Sequence, residues 1–357
     1  MKKDGLRVLL LADAGSFHTE RFALQLRRQG CRVLVASLEE GRMRRVRLKR
    51  LGPVKSFHYL LAVPQVRRII KRSRPDVVNA HYASGYGFIA ARATGNEGPP
   101  IVLNLWGSDV LVVPNKSTQH RMKVRMALEA ADWVIGDSNY LVESAREIGK
   151  LKQTEVIAWG IEKEYLTGHK ANYTLGRPLR LITPRTHEEV YNNAFILDSL
   201  RPMVERGEVK LTFPDFGSLA GQFKDRTGNL LGHGVELYER LERREFLTFL
   251  ASHDVCLSAS QSDSSPASLI EAMALGLIPV AARTPGIAEW LNAETGLAFE
   301  PGDTEELRGI IRKFISSSDS LEQMRRRNLQ RVERDAIFEQ NVAQQVKIMA
   351  ELAGRSI

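Results

Sequence analysis

A single carboxylate, Glu271, interrupts an otherwise uncharged run from Ser264 to Ala282 in this chain of 357 residues. Its neighbours Ile270, Ala272, Met273 and Ala274 are expected to be buried, so the carboxylate must be hydrogen-bonded or paired. Ser268 lies three residues earlier, on the same face of a predicted helix. That helix is expected to be capped by Ser264 or Ser265, to carry Pro266 at its first position, and to end at Gly276. The amides of Ala267, Ser268 and Leu269 at its N-terminus would favour an anion. An anion seat with a hydroxyl-binding carboxylate one turn further in matches a nucleoside diphosphate and its ribose. Taken alone, the helix is equally consistent with a buried strand–helix–strand unit whose glutamate is satisfied by backbone.

Four more positions carry chemistry-bearing residues directly after predicted strands, where open α/β sheets place ligands. Arg185 follows the strand Leu179–Pro184 and is the best cation for a diphosphate, with a surface salt bridge as the plainer reading. Gly217 sits in Asp215-Phe216-Gly217-Ser218 after the strand Val209–Phe213 and joins the donor-binding set. Gly15 lies in the turn after the first strand, Arg7–Asp13, without a Gly-x-Gly-x-x-Gly fingerprint. Asp109 closes Trp106-Gly107-Ser108-Asp109 after the strand Pro100–Leu105, and it is the acceptor-side catalytic candidate, with a positioning or structural role as the plainer reading. His81 and His18 are polar neighbours there. Asp263 precedes Glu271 by eight residues and could instead cap the helix.

These residues need a scaffold of alternating strands and helices, which reads as parallel sheet covered on both faces. A βαβ opening (Arg7–Asp13, a helix from about His18, Cys31–Ser37) starts one such set, and Leu179–Pro184 starts a second. The predicted organisation is an N-terminal Rossmann-like domain over 1–167, a C-terminal one over 168–335, and a final helix over 336–357 returning to the first domain. Thr167–Arg177 is the predicted linker.

The stretch Asp263 to Glu289 resembles the signature of the retaining glycosyltransferases of family 4, Glu-x7-Glu-Ala-Met-Ala-x-Gly-x-Pro-Val followed by Gly-x-x-Glu. Asp263 holds the first acidic position, Glu271 the second, and Gly286 to Glu289 the tail. The resemblance extends over nearly the whole chain and implies the GT-B fold, two Rossmann-like domains facing a central cleft. It implies retaining, metal-independent transfer of a sugar from a nucleotide-diphosphate sugar, UDP- or GDP-type, to a hydroxyl of a lipid-linked, cell-envelope or exopolysaccharide glycan. No cofactor is implied beyond that donor. By the resemblance, Gly15 approaches the donor diphosphate, Glu271 binds the ribose and Asp263 contacts the donor sugar. The departing phosphate takes the acceptor proton. Three departures stand out. Aspartate replaces the usual glutamate at 263, Trp106 stands where many relatives have histidine, and Tyr191 stands where a second cation is expected. They motivate the other reading, a non-catalytic scaffold or regulatory partner of another transferase.

Composition is that of an ordinary globular protein, with 43% hydrophobic and 26% charged residues. The two cysteines, Cys31 and Cys256, read as buried free thiols in a reducing compartment, and no metal-ligand spacing occurs. The net charge of +9 is concentrated between Gly41 and Pro75, which holds twelve Lys or Arg and no acid. Arg42, Arg44, Arg45, Arg47, Lys49, Arg50 and Lys55 form one cluster, and Arg67, Arg68, Lys71, Arg72 and Arg74 the other. With Leu48, Leu51, Tyr59, Leu60 and Leu61 among them, the segment suits an anionic membrane surface or a lipid-phosphate acceptor. A solvated basic face is the plainer reading. No nucleic-acid-binding motif accompanies the charge. No apolar run is long enough to span a bilayer, so a cytoplasmic protein, peripheral on the inner face of the membrane, is expected.

Overall fold

The computed structural model describes residues 5–355 except 42, 44, 53–57, 96, 167–174 and 317–318. The basic residues Arg42, Arg44 and Lys55, and most of the segment expected as a linker, therefore lie outside the described residues. The chain forms two compact units, Met1–Ala158 with Glu339–Ile357, and Trp159–Phe338.

Among the described residues the first unit contains a parallel sheet of β1 (Arg7–Leu11), β2 (Arg32–Ser37), β3 (Arg47–Arg50), β4 (Val77–His81), β5 (Ile101–Asn104), β6 (Trp133–Gly136) and β7 (Thr154–Val156). Their order is β3-β2-β1-β4-β5-β6-β7. The central strands are buried because helices cover both faces: every residue of β4 and β5 is buried, including the polar Asn79, His81 and Asn104. Strand order reverses between β1 and β4, so the loops after these two strands flank the crevice where such sheets bind ligands. Ser138 caps the helix Asn139–Arg146 by accepting from the Leu141 amide at 3.2 Å. The C-terminal helix Phe338–Leu352 is tied into this unit through buried amides. Asn79 Nδ2 donates to Asn104 Oδ1 at 2.6 Å, and Asn104 Nδ2 donates to Gln345 Oε1 at 2.8 Å. Beyond the helix, Arg355 reaches Asp76 at 2.9 Å.

The basic segment contains two regular elements that its composition hides. Arg47–Arg50 adds an edge strand to β2, its exposed charges suiting an edge that must not pair further. His58–Ser73 forms a helix with Pro64 inside it. Leu51 is fully buried in the core, so it does not belong to an interfacial surface. Leu60 and Leu61, by contrast, are 54% and 62% exposed.

The second unit contains β8 (Leu179–Ile182), β9 (Val209–Pro214), β10 (Val235–Tyr238), β11 (Val255–Ser258), β12 (Ile278–Ala282) and β13 (Leu297–Phe299). Among the described residues they form one parallel sheet in the order β10-β9-β8-β11-β12-β13. The reversal here falls between β8 and β11. Its core is built from residues such as Leu181, Leu211, Phe213, Leu257, Val280 and Phe299. The unit's two ends are joined where Ile161 and Ile337 form a bridge, with the Ile161 amide on Ala336 O at 3.0 Å and the Phe338 amide on Ile161 O at 2.9 Å. Both units are Rossmann-like α/β structures, and together they have the GT-B fold.

Candidate functional site

In the second unit the strand-order reversal brings Arg185 and Asp263 together. Arg185 lies in the loop after β8, Asp263 in the loop after β11, and the two form an ion pair in which both side chains are largely buried. Asp263 is therefore an arginine partner and not a helix cap. The Arg185 guanidinium also lies over the Tyr191 ring, 4.7 Å from its centroid. Tyr191 thus braces the first cation in the place where a second was expected. Burial pulls the Arg185 pKa down, and its electrostatic neighbours, Tyr191, Cys256 and Glu271 in that order, pull it back up. Glu271 is close enough for its charge to register at Arg185.

The helix carrying Glu271 spans Ala267–Ala274. Its N-cap is Pro266, with φ −70° and ψ 105°, and no side chain bonds to the cap. Neither Ser264 nor Ser265 plays the expected capping role, because the fixed ring of Pro266 already sets the extended entry. The Leu269 amide bonds Pro266 O at 2.9 Å, so it is spent inside the helix and does not belong to an anion seat. The first-turn amides left for a ligand are those of Ala267 and Ser268. The Oγ atoms of Ser265 and Ser268 are shut off from solvent with no hydrogen-bond partner among the described residues. Buried hydroxyls of this kind are rare unless something else satisfies them.

Glu271 itself is buried, as are Ile270, Ala272, Met273 and Ala274. Its partner is a residue that sequence reasoning did not single out. Arg243 Nη1 donates to Glu271 Oε1 at 2.6 Å, and Arg243 Nη2 donates to Glu162 Oε2 at 2.9 Å. One sequence signal could have exposed it. Arg243 starts the helix Arg243–Leu250, and a cation at a helix N-terminus opposes the dipole unless it serves something else.

Two glycines shape the same loops. Gly217 has φ +126°, and a Cβ there would lie 2.4 Å from the His187 backbone nitrogen. It lets the loop after β9 close on the loop that carries Arg185. A Cβ on Gly286 would lie 2.0 Å from the Ser264 carbonyl oxygen, so this glycine permits the tail of the motif to press against the Asp263–Ser264 turn.

The first-unit candidates form a separate group. The Gly15 amide donates to Asp13 Oδ1 at 2.7 Å, in a loop joined to the end of β2 by the Ala14 amide on Ser37 Oγ at 2.9 Å. Asp109 is completely buried and faces backbone: the Ala83 amide meets Oδ2 at 2.7 Å and the Trp106 amide meets Oδ1 at 3.0 Å. Burial raises its pKa to about 6, against the lowering effect of those amides. Its geometry is that of a positioning residue that holds the Trp106 loop against the turn after β4. Around Trp106, His18, His81 and Tyr82 complete a ring cluster, with Tyr82 and Trp106 stacked 5.1 Å apart and His81 5.5 Å from Trp106. Burial, helped by His18, lowers the His81 pKa to about 3, so the ring is neutral near neutral pH. Cys31 and Cys256 are buried free thiols, with burial raising them to about 11 and about 12. Among the described residues no group of His, Cys, Asp or Glu could hold a metal ion. None of the described helices is long and apolar enough to cross a membrane.

Comparison with known proteins agrees with this arrangement. Residues 7–138 match the model "Glycosyl transferase 4-like", and residues 197–331 match "Glycosyl transferases group 1". The chain is 23% identical over 316 residues to an uncharacterized glycosyltransferase of Methanocaldococcus jannaschii, covering 85% of each. It is 24% identical over 259 residues to a Bacillus subtilis glycosyltransferase assigned to teichuronic acid biosynthesis, covering 67% of this chain and 61% of that one. Anabaena HepE, solved with UDP and with UDP-glucose, superposes with a TM-score of 0.79 at 16% identity, covering 97% of this chain and at least 99% of that one. The fold and the two matched models define a sugar-transferring enzyme. The chain belongs to the family 4-like, group 1 glycosyltransferases.

Proposed function

We propose that this enzyme transfers a sugar, with retention, from a nucleotide-diphosphate sugar to a hydroxyl of a cell-envelope or lipid-linked glycan, without a bound metal or other cofactor. One observation carries the reading. A cation (Arg185), a helix N-terminus with unsatisfied hydroxyls (Ser265, Ser268) and a buried carboxylate (Glu271) converge at the strand-order reversal of the second unit. The structural relative HepE was solved with UDP and with UDP-glucose, which supports the donor class, and one sequence relative is assigned to teichuronic acid biosynthesis, which supports a glycan product.

In the proposed reaction the bond between the anomeric carbon and the diphosphate breaks as the acceptor oxygen bonds that carbon on the same face. The bonding pair leaves with the diphosphate. Arg185 and the amides of Ala267 and Ser268 meet the charge that builds there. Glu271 accepts from the ribose hydroxyls, and Asp263, held by Arg185, faces the donor sugar. The acceptor proton passes to the departing phosphate, so no side-chain base is required, consistent with a buried Asp109 and a neutral His81.

The test is a panel of UDP-, GDP- and ADP-glucose, read by thermal shift and by NMR of the sugar released. One nucleotide should stabilise the protein and be slowly hydrolysed. Folded protein that responds to none of the three would contradict the reading.

The enzyme is further proposed to work on the cytoplasmic face of a membrane. Exposed Leu60 and Leu61 and the cations Arg67, Arg68, Lys71 and Arg72 share the helix His58–Ser73. Such a helix gains both apolar burial and roughly 1 kcal/mol per cation at an acidic surface. The protein should pellet with phosphatidylglycerol vesicles at low salt and less so after Leu60→Ser with Leu61→Ser. Pelleting that ignores lipid charge, salt and both leucines would refute it.

A further inference from the structure

Arg243 is placed where its own helix does not want it. The helix Arg243–Leu250 is capped by a capping box of Glu242 and Glu245, so its first turn is already served. The Arg243 side chain is only 16% exposed, and it turns inward to join Glu271 and Glu162. Burial works against its charge, but the two carboxylates outweigh burial and hold the guanidinium above its ordinary value. Each terminal nitrogen of Arg243 meets a different carboxylate. With two, the cluster carries one net negative charge and spare acceptor capacity, since an ionised carboxylate offers about four lone-pair positions. Arg243 occupies Glu271 Oε1, which among the described residues leaves Oε2 as the natural acceptor for neutral donors such as hydroxyls.

We propose that Arg243, anchored by Glu162, is a positioning and specificity-setting residue that aims the free oxygen of Glu271 at a ribose diol, so that the enzyme selects ribonucleotide over deoxyribonucleotide donors. The inference rests on the nucleotide reading of the Glu271 site and deepens it. Glu162 lies in the segment that opens the second unit, beside the Ile161–Ile337 bridge, so the anchor is rooted in that unit's own frame. A guanidinium fork holds two carboxylates in a fixed plane, which an ammonium does with less directional control.

The experiment measures dissociation constants of UDP and 2′-deoxy-UDP, with GDP and 2′-deoxy-GDP alongside, for wild type, Arg243→Lys, Arg243→Met and Glu162→Gln. Wild type should prefer the ribo form by roughly 10- to 100-fold, the range of hydrogen bonds to a charged group. Arg243→Met should weaken the ribo form and leave the deoxy form nearly unchanged, bringing the preference to within about 3-fold. Arg243→Lys should retain part of the preference. Glu162→Gln keeps the Arg243–Glu271 pair and should give an intermediate preference, which preserves the test if Arg243→Met does not fold. A merely structural arginine would lower stability and leave the ratio alone. An unchanged ratio in Glu162→Gln and in every folded Arg243 variant would overturn the inference, as would wild type that binds both forms equally. Wild type that binds no nucleotide would overturn the underlying reading as well.

Discussion

Glu271→Gln is expected to raise the donor KM about 10- to 100-fold while changing kcat much less. The carboxylate is buried, bonded through one oxygen to Arg243, and one turn inside the helix N-terminus that faces the proposed diphosphate. Glutamine keeps the shape and one acceptor oxygen but removes the charge. A hydrogen bond to a charged acceptor contributes about 1.5–3 kcal/mol, which sets the expected loss. The ribose lies away from the reacting carbon, so its binding is shared by ground and transition states and the loss falls on KM. Arg243 keeps Glu162 as a partner, so the variant should fold. Alanine would be a poorer test, because cutting away one partner of a buried pair costs about 3–5 kcal/mol of stability. Initial rates against donor concentration decide the matter, and an unchanged KM would remove Glu271 from the ribose site.

Arg185→Met should have the larger catalytic effect, a loss of roughly 10²–10³ in kcat, the scale of removing one preorganised charge stabiliser. Negative charge on the leaving diphosphate is greatest in the transition state, so this loss should fall on kcat. The substitution also strands Asp263, which is paired with Arg185 and largely buried. A lower melting temperature is therefore expected. Adding Asp263→Asn should restore stability without restoring rate, which separates the ion pair's structural share from its chemical one. A rate that recovers with stability would mean that Arg185 only braces the loops after β8 and β11.

The parts of the site built from local pattern were legible in the sequence. An isolated acidic residue in an apolar helix must have a buried purpose, and residues directly after parallel strands fall at the ligand edge. The structure buries Glu271 against Arg243 and pairs Arg185 with Asp263 in the loops after β8 and β11. Parts that depend on pairing across the fold were not legible. Arg243 is 28 residues from Glu271 and 81 from Glu162, and no periodicity links them. Ser264 and Ser265 have the right chemistry for a cap, but Pro266 makes the entry turn by itself. Leu269 lies one residue too far into the helix for its amide to remain available. Arg-Leu-Lys-Arg at 47–50 reads as surface charge and becomes a strand only because β2 offers it an edge. Leu51, beside it in sequence, goes to the core.

The central claim is retaining transfer from a nucleotide sugar, and the most direct test is the anomeric configuration of the first product. Proton NMR should follow an α-configured donor of the nucleotide that the thermal panel selects. The α-anomer of the released or transferred sugar should appear first, before mutarotation, and Arg185→Met should slow its appearance. A β-anomer formed first would mean inversion and would contradict the proposed reaction at this site.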